Sequence, residues 1–525
     1  MTDTLPTDPL THELLLRGPA DRDAVDGPTG TWSYARLTHY ARTCAAEFLR
    51  HGLTDGARVL VALEPTAEAV GVFLACSMAG AVYVPVSPDT PAPRVREIAA
   101  HVEAAAWLHA PGAPPPPAPV AHAAEVTAEG PRFHRGAPRP VPHRRALGTD
   151  PAYIVFTSGT TGRPKGITNS HRSLVAFFRA LTAHFALPGE ARVGSFSPLS
   201  FDLSLLDLGL ALGSGATLVQ VPRMLVHHPR RLLRRLDAHG VSLVSAVPSV
   251  WRPLLATAGE RIEVPAALRA VHFTGEHFPG PEVRRLARLL PGVRLTHGYG
   301  QSESIQCSFR DLPDPIPETW DAMPIGPAHE GCELLLLDEN GKPVTEPGDT
   351  GELHLRGTTL FSGYWGDPDA TAAALVPDPT RPLAPERVLR TGDLATLTED
   401  GEFRFAGRRD HQVQIRGNRV ELEEIERVLL EHPAVAGVVA LVTDRGEGAE
   451  PTVCVVPAAP SGPNAPATPS ERELRAHCRE RLPDYMVPRR VVLVPALPHS
   501  VHGKLDRRAA HALASAAHPP REGTR

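Results

Sequence analysis

A segment near residue 160 combines the residue types that bind anionic oxygen atoms. In "YIVFTSGTTGRPKGI", residues 153–167, an apolar strand precedes a turn with four hydroxyl side chains, three glycines and a lysine. Glycines let backbone N–H groups approach an oligophosphate, and hydroxyl groups and an ammonium add further donors. The spacing is not the Walker pattern G-x-x-x-x-G-K-[ST], because a proline directly precedes the lysine. We therefore predict a phosphate-binding loop of another kind.

Lysine is rare in this chain, which has 54 lysines and arginines together but lysine only at Lys165, Lys342 and Lys504. Lys342 lies in "ENGKP", where a solvated turn explains it. Lys504 lies in "HGKLDRR" near the end of the chain. An ammonium is a compact, rotatable point charge that the broad, planar guanidinium does not replace. Lys504 is therefore a candidate for a site that needs a point charge.

An aspartate stands between apolar residues in "FDLS", residues 201–204. A carboxylate in such a place is costly to bury without a charged partner, so we expect Asp202 to have one. The alternative is that Asp202 caps the start of a helix at "LSLLDLGLAL". Both roles are compatible.

These motifs resemble those of the adenylate-forming enzymes, the superfamily of acyl-CoA synthetases, luciferases and amino-acid adenylation domains. Further matches follow in the family's order and cover almost the whole chain: "WSYARL", "MAGAVYVPVSPDTP", "GYGQSES", "GELHLRGTTLFSGYW", "RTGD", "GRRDHQVQIRGNRVELEEIE", "LPDYMVP" and "HGKLDR". The stretches "SFDLSLLDLG" and "FTGEHFP" are most similar to free-standing enzymes that activate D-alanine or L-proline for carrier proteins.

The resemblance implies roles for individual residues. Tyr299 would stack on adenine, Glu303 would hold Mg²⁺, and Asp393 would accept the ribose hydroxyls, with Arg408 close by. Lys504 would be catalytic together with Glu303, and Asp410 would be the hinge. The implied ATP- and AMP-binding residues are Thr157, Ser158, Gly159, Thr160, Thr161, Gly162, Lys165, Tyr299, Gly300, Ser302, Asp393 and Arg408.

The same resemblance implies a substrate pocket in which Asp202 binds the ammonium of an α-amino acid. The other implied pocket residues are Leu203, Leu206, Ser245, His272, Thr274, Gly298, Gln306 and Cys307. Several of these side chains are polar, which favours a small or polar amino acid.

The secondary-structure pattern explains how these residues are positioned. Apolar strands alternate with helical stretches up to about residue 310, as in parallel sheets covered by helices, and short antiparallel strands follow. We predict an α/β fold with a large multi-sheet N-terminal core, residues 1–409, and a small mobile α+β C-terminal domain, residues 410–525. The uncharged run at 69–88 predicts a buried helix followed by a strand. The proline- and alanine-rich run at 109–150 predicts mostly an exposed loop.

Composition excludes several classes of protein. A formal charge of −5 and a pI near 6.6 give no basic footprint for nucleic acid or for a membrane surface. The six cysteines lie far apart, which is typical of a reducing compartment, and the N-terminus shows no signal-peptide pattern. We predict a cytoplasmic protein with no nucleic-acid or membrane partner.

Together these features predict an ATP-dependent, AMP-forming ligase that converts an α-amino acid to aminoacyl-AMP, with Mg²⁺ as cofactor. The aminoacyl group would pass to the phosphopantetheine of a separate carrier protein, because no "LGGxS"-type carrier motif follows residue 510. Nonribosomal peptide or related natural-product biosynthesis is the expected context. The alternatives are an acyl-CoA synthetase-type ligase that uses coenzyme A, and a non-catalytic amino-acid-binding relative.

Overall fold

The structure, a computed structural model, describes residues 8–139, 141, 143–159, 163–259, 261–410, 412–444, 449–458, 468–498 and 506–516. Four of the predicted site residues, Thr160, Thr161, Gly162 and Lys504, lie outside the described residues. Their roles stay predictions.

Helices occur along the whole described chain. The α-helices are α1 Thr11–Leu15, α2 Tyr34–Arg50, α3 Ala67–Ala79, α4 Ala92–His101, α5 His171–Phe185, α6 Leu203–Gly213, α7 Pro229–Ala238, α8 Arg252–Thr257, α9 Gly280–Leu289, α10 Pro368–Ala374, α11 Leu422–Leu430, α12 Glu471–Arg479 and α13 Arg507–Ala516. Short 3₁₀ helices lie at Arg223–His227, Pro248–Val250 and Asp484–Met486.

Strands separate most of these helices. They are β1 Asp23–Gly27, β2 Gly30–Ser33, β3 Arg58–Ala62, β4 Val82–Pro85, β5 Ala106–His109, β6 His122–Thr127, β7 Gly130–Arg135, β8 Pro151–Thr157, β9 Lys165–Ser170, β10 Arg192–Ser195, β11 Thr217–Gln220, β12 Leu243–Ala246, β13 Ala270–Phe273, β14 Arg294–Tyr299, β15 Ser308–Asp311, β16 Cys332–Leu337, β17 Thr350–Gly357, β18 Gly363–Tyr364, β19 Leu375–Pro377, β20 Arg387–Leu397, β21 Phe403–Arg408, β22 Gln412–Ile415, β23 Asn418–Glu421, β24 Val435–Asp444, β25 Ala449–Pro457 and β26 Arg490–Leu493.

The chain divides into two compact units. The first comprises the described residues of Met1–Pro88, Ala99–Phe156 and Gly166–Asp410, and the second those of Asp89–Ile98, Thr157–Lys165 and His411–Arg525. The mixed α/β architecture confirms the predicted fold class. The boundary after residue 409 stays a prediction.

Two eight-stranded sheets and a five-stranded sheet build most of the first unit. One large sheet has the order β15-β14-β13-β12-β10-β11-β1-β2, and the other has the order β18-β9-β8-β4-β3-β5-β6-β7. In the first sheet, β12, β13 and β14 run parallel, with Ser245 opposite His272 and His272 opposite Thr296. The third sheet, β16-β17-β20-β19 with β21 on β20, is antiparallel. Helices α3, α5 and α6 contribute to the core of this unit.

The run at 69–88 forms a helix and a strand, as predicted. Thr66 caps α3 by accepting a hydrogen bond from the Ala69 N–H, and Gly80 ends it with a φ of 70° that favours glycine. The strand that follows, β4, is buried along its length. Among the described residues, no helix has the length and apolarity to cross a membrane.

The prediction of a mostly exposed loop at 109–150 was wrong in part. Residues 122–135 form the strands β6 and β7, and β6 adds to the sheet by running parallel to β5. The segment "HAAEVT" buries its alanines and Val126 on the sheet, so tertiary packing outweighs the low strand propensity of alanine.

The C-terminal part of the second unit combines two small sheets with three helices. The hairpin β22-β23 precedes α11, and the sheet β24-β25-β26 packs against α11, α12 and α13. Glu424 of α11 forms a buried ion pair with Arg94 of α4 within this unit.

Candidate active site

A hydrogen-bonded network in the first unit surrounds Asp393. The Tyr299 hydroxyl donates to Asp393 Oδ2 at 2.5 Å, and Arg408 Nη1 donates to Asp393 Oδ1 at 2.5 Å. Arg408 also binds both carboxylate oxygens of Asp410, at 2.7 and 2.8 Å. Burial disfavours the charged form of Arg408, but Asp410 and Asp393 outweigh that effect and raise its pKa. The residues predicted for adenine, ribose and hinge are therefore joined in one ionic cluster.

Glu352 holds the "RTGD" turn that carries Asp393. Its carboxylate accepts from Arg390 Nε at 3.0 Å, from Arg409 Nη1 at 2.6 Å and from the Gly392 N–H at 3.2 Å. Burial acts to raise the pKa of Glu352, but the two arginines keep it below the usual value. Glu352 was not among the predicted site residues, although it lies in the quoted "GELHLRG" motif, where an acid flanked by apolar strand residues is a signal for a buried partner.

Glu303 is a deeply buried carboxylate, 1% exposed. It accepts a hydrogen bond at Oε1 from the Tyr364 hydroxyl at 2.6 Å. Among the described residues there is no cluster of three or more His, Cys, Asp or Glu side chains that could hold a metal ion. A Mg²⁺ ion at Glu303 would therefore take its other oxygen ligands from nucleotide phosphates and water, as this ion commonly does.

Three of the predicted pocket residues form a buried chain of hydrogen bonds across β12, β13 and the loop after β14. Ser245 Oγ lies 3.1 Å from His272 Nδ1, and Gln306 Nε2 lies 3.1 Å from His272 Nε2. Burial lowers the pKa of His272 to about 3, so the ring is neutral near pH 7. Gly298 is required here, because a Cβ at this position would lie 1.4 Å from Gln306 Nε2. The result is a rigid polar wall.

Asp202 directly precedes α6, with no side-chain capping hydrogen bond to that helix. The capping alternative is therefore not what its carboxylate does in this structure. The pKa of the Tyr153 phenol is well above its usual value. Burial is the larger cause, and the charge of Asp202 raises this pKa further. The Tyr153 hydroxyl donates to the Leu199 carbonyl at 3.1 Å. Asp202 thus lies close enough to Tyr153 of β8 for its charge to act on that buried phenol.

A second carboxyl group on α6, Asp207, was missed. It is fully buried, it accepts a 2.6 Å hydrogen bond from the Ser195 hydroxyl, and burial raises its pKa well above the usual value. The signal in the sequence was an acid within the otherwise apolar run "LSLLDLGLALG".

The described part of the predicted phosphate-binding loop belongs to the second unit. Ser158 Oγ donates to the Arg419 carbonyl at 2.8 Å and accepts from the Glu421 N–H at 2.8 Å, so its hydroxyl is bonded to β23. Gly159 is required by a close approach, since a Cβ there would lie 2.1 Å from the Arg163 carbonyl. Thr157 ends β8 and Lys165 begins β9.

The other predicted residues lie on elements already described. Leu203 and Leu206 are buried on α6, and Thr274 is buried just after β13. Gly300, Ser302 and Cys307 lie in the segment between β14 and β15, where burial raises the pKa of the Cys307 thiol.

Comparison with known proteins identifies the family. Residues 15–365 match the family described as AMP-binding enzyme, and residues 424–504 match the AMP-binding enzyme C-terminal domain. The first match alone covers more than half of the chain. The chain belongs to the AMP-binding enzyme family.

Several relatives in this family are similar over most of the chain. The L-proline--[L-prolyl-carrier protein] ligase of Pseudomonas fluorescens is 32% identical over 510 residues, which cover 95% of this chain and 98% of that protein. Phosphinothricin tripeptide synthetase PhsC of Streptomyces viridochromogenes is 36% identical over 500 residues, 93% of this chain but only 43% of the longer synthetase. A crystal structure of IdnL1 is 42% identical, with a TM-score of 0.81 and coverage of 94% and 99%.

These matches confirm the resemblance to adenylate-forming enzymes, which use ATP and Mg²⁺. The protein is an AMP-binding-family ligase related to nonribosomal peptide synthetase adenylation domains and to the proline ligase. The donor set fits the cofactor, because the buried Glu303 carboxylate supplies the hard oxygen that Mg²⁺ prefers.

Proposed function

We propose that this protein activates an α-amino acid with ATP and transfers the aminoacyl group to the phosphopantetheine thiol of a separate carrier protein. The observation that carries the amino-acid part is the position of Asp202, a partly buried carboxylate directly before α6 whose charge acts on the buried Tyr153 phenol. In the proposed complex, the substrate ammonium pairs with this carboxylate. The similarity to an L-proline--[L-prolyl-carrier protein] ligase, 32% identical over 510 residues, supports a carrier protein as the acceptor of the aminoacyl group.

In the first half-reaction, a substrate carboxylate oxygen attacks the α-phosphorus of ATP, and pyrophosphate leaves with the electron pair of the broken P–O bond. Asp393 and Tyr299 bind the ribose and adenine in this proposal, and Arg408 supports Asp393 through their ion pair. Lys504 neutralises the charge that develops between carboxylate and phosphate, as preorganised donors do in such reactions. When bound at Glu303, Mg²⁺ supplies further charge neutralisation to the phosphates.

In the second half-reaction, the thiol sulfur attacks the acyl carbon, AMP leaves, and a thioester forms. We place Asp410 at the hinge of a C-terminal domain that reorients between the two steps. In this structure, the Asp410 carboxylate accepts two hydrogen bonds from Arg408. Asp410 therefore has a partner on the nucleotide side of the proposed hinge.

Neutral His272, with Ser245 and Gln306, forms one polar wall of the proposed side-chain pocket. Gln306 Oε1 is buried without a hydrogen-bond partner among the described residues. Such a wall favours a substrate side chain that donates a hydrogen bond, because an apolar side chain would leave this oxygen unpaired. Asp202 fixes an ammonium, but it does not by itself set the distance from that ammonium to the reacting carboxylate.

A pyrophosphate-exchange screen tests the proposal. It covers both enantiomers of the common α-amino acids, ω-amino and β-amino acids, and matched fatty and aryl acids that lack an amine. We expect exchange with an amino acid, and Asp202→Ala should lower kcat/KM for it by about 10²–10⁴, which corresponds to the cost of about 3–5 kcal/mol for removing one partner of an ion pair that is buried in the substrate complex. An unchanged kcat/KM would contradict the ammonium role and favour an acyl-CoA synthetase.

The carrier part has its own test. Enzyme, ATP and the best substrate are incubated with phosphopantetheinylated carrier proteins or with coenzyme A, and the products are weighed by mass spectrometry. Loading of a carrier is expected, whereas efficient loading of coenzyme A alone would refute a carrier-protein ligase.

A further inference from the structure

One short segment of the chain, Phe361–Trp365, holds Glu303 at both its backbone and its side chain. The Phe361 N–H donates to the Glu303 carbonyl oxygen at 2.8 Å, and the Tyr364 hydroxyl donates to Glu303 Oε1 at 2.6 Å. These two contacts restrict the position and the orientation of the buried carboxylate.

The backbone that carries Tyr364 is itself held by a sheet. Tyr364 belongs to β18, which runs antiparallel to β9 with Tyr364 opposite Ile167. On either side of it, the Ser362 N–H donates to the Thr168 carbonyl and the Trp365 N–H donates to the Gly166 carbonyl, both at 2.7 Å. The Tyr364 hydroxyl therefore reaches Glu303 from a fixed strand and not from a mobile loop.

The chemistry of this contact is compatible with metal binding. A phenol donates a single proton, so the Tyr364 hydroxyl uses one of the roughly four lone-pair sites of a carboxylate. The bond fixes the rotation of the carboxylate about its last torsion, which is otherwise broad. Partners that orient a ligand in this way typically change metal affinity 10–100-fold when they are removed.

We propose that Tyr364 is a positioning residue for the metal-binding carboxylate: its hydroxyl orients Glu303 and so sets the affinity for Mg²⁺ in the nucleotide complex. This inference rests on the proposed function, through the assignment of Mg²⁺ to Glu303. Tyr364 itself does not touch the metal in this account.

The test is Tyr364→Phe in the full-length enzyme. Mn²⁺, used in place of Mg²⁺, is titrated into enzyme with a non-hydrolysable ATP analogue and followed by electron paramagnetic resonance. We expect the Mn²⁺ dissociation constant to rise 10–100-fold. In pyrophosphate exchange, the Mg²⁺ concentration for half-maximal rate should rise by a similar factor, with most of the wild-type rate restored at saturating Mg²⁺.

Tyr40→Phe is the matched control, because it also removes one phenol hydrogen bond, from Tyr40 to the Thr127 carbonyl at 2.8 Å. It should leave Mn²⁺ affinity unchanged. The proposal is overturned if Tyr364→Phe, with a melting temperature similar to that of Tyr40→Phe, binds Mn²⁺ as wild type does.

Glu303→Gln separates this inference from the proposed function. If Glu303→Gln binds Mn²⁺ normally, the assignment of the metal to Glu303 is wrong and the positioning role of Tyr364 fails with it, whereas amino-acid activation is decided separately by the pyrophosphate-exchange screen. If Glu303→Gln loses Mn²⁺ and Tyr364→Phe does not, only the positioning role fails. The Mn²⁺ titration needs no amino acid, so it gives an answer even if the substrate screen finds none.

Discussion

Arg408 should contribute far more to stability than its neighbour Arg409, although each is an arginine paired with acids. The Arg408 side chain is 13% exposed and binds Asp393, itself 7% exposed, as well as Asp410. Arg408→Gln keeps much of the side-chain length but removes the cation. Breaking a buried ion pair by removing one partner costs about 3–5 kcal/mol, because the other charge stays buried. We therefore expect the free energy of unfolding of the first unit to fall by about that amount.

Arg409→Gln is the control within the same chain segment. The Arg409 side chain is 52% exposed and pairs with Glu352, which keeps its bond to Arg390 in the variant. Exposed ion pairs typically contribute about 0–1 kcal/mol, so this variant should be nearly as stable as wild type. The two substitutions are chemically identical and differ in burial and partners.

Urea denaturation followed by tryptophan fluorescence measures the first unit selectively. All five tryptophans lie in that unit: Trp32, Trp107, Trp251, Trp320 and Trp365. Equal losses of stability for the two variants, or a loss below about 1 kcal/mol for Arg408→Gln, would refute the reasoning from burial. As a second readout, the affinity of each variant for AMP is measured by calorimetry. This affinity should fall for Arg408→Gln and change little for Arg409→Gln.

Two further predictions concern catalysis and pH. Lys504→Arg should lower kcat for adenylation by about 10²–10³, approaching the effect of Lys504→Ala, because a planar guanidinium does not replace an ammonium between two oxyanions. With preformed aminoacyl-AMP, either variant should still load a carrier. Equal damage to both half-reactions would contradict the catalytic role. Burial lowers the pKa of His272 from 6.5 to about 3. As the pH falls, His272 therefore binds a proton at a higher pH in the unfolded chain than in the folded one. It contributes to stability above pH 6.5 and loses that contribution as the pH falls towards 3. His272→Gln should therefore show a shallower loss of stability than wild type in urea titrations between those pH values, and parallel curves would show that His272 does not titrate in this way.

Sequence alone identified the family and the α/β class, and it predicted the chemistry of individual motifs. These predictions depend on residues close together in the chain: the loop at 157–165 is predicted from its own glycines and hydroxyls, and the helix and strand at 67–85 are set by local apolarity with Thr66 and Gly80 at the helix ends. Patterns of this local kind are legible because each element's type depends on its own spacing. The alanine-rich strand β6 was missed because its stability comes from pairing with β5, which lies outside its own segment.

Only the tertiary structure decided which side chains form hydrogen bonds or ion pairs with each other. Tyr299 reaches Asp393 across 94 residues, Tyr364 reaches Glu303 across 61, and Gln306 reaches His272 across 34. Such pairs are set by strand register and by close approaches such as the one at Gly298, and neither follows from the composition of a segment. The partners of Glu352 and the burial of Asp207 belong to the same class. An acid in an apolar run signals that a partner exists, but the partner's identity is a property of the folded chain, because a hydrogen bond depends on distance in space and not on separation in sequence.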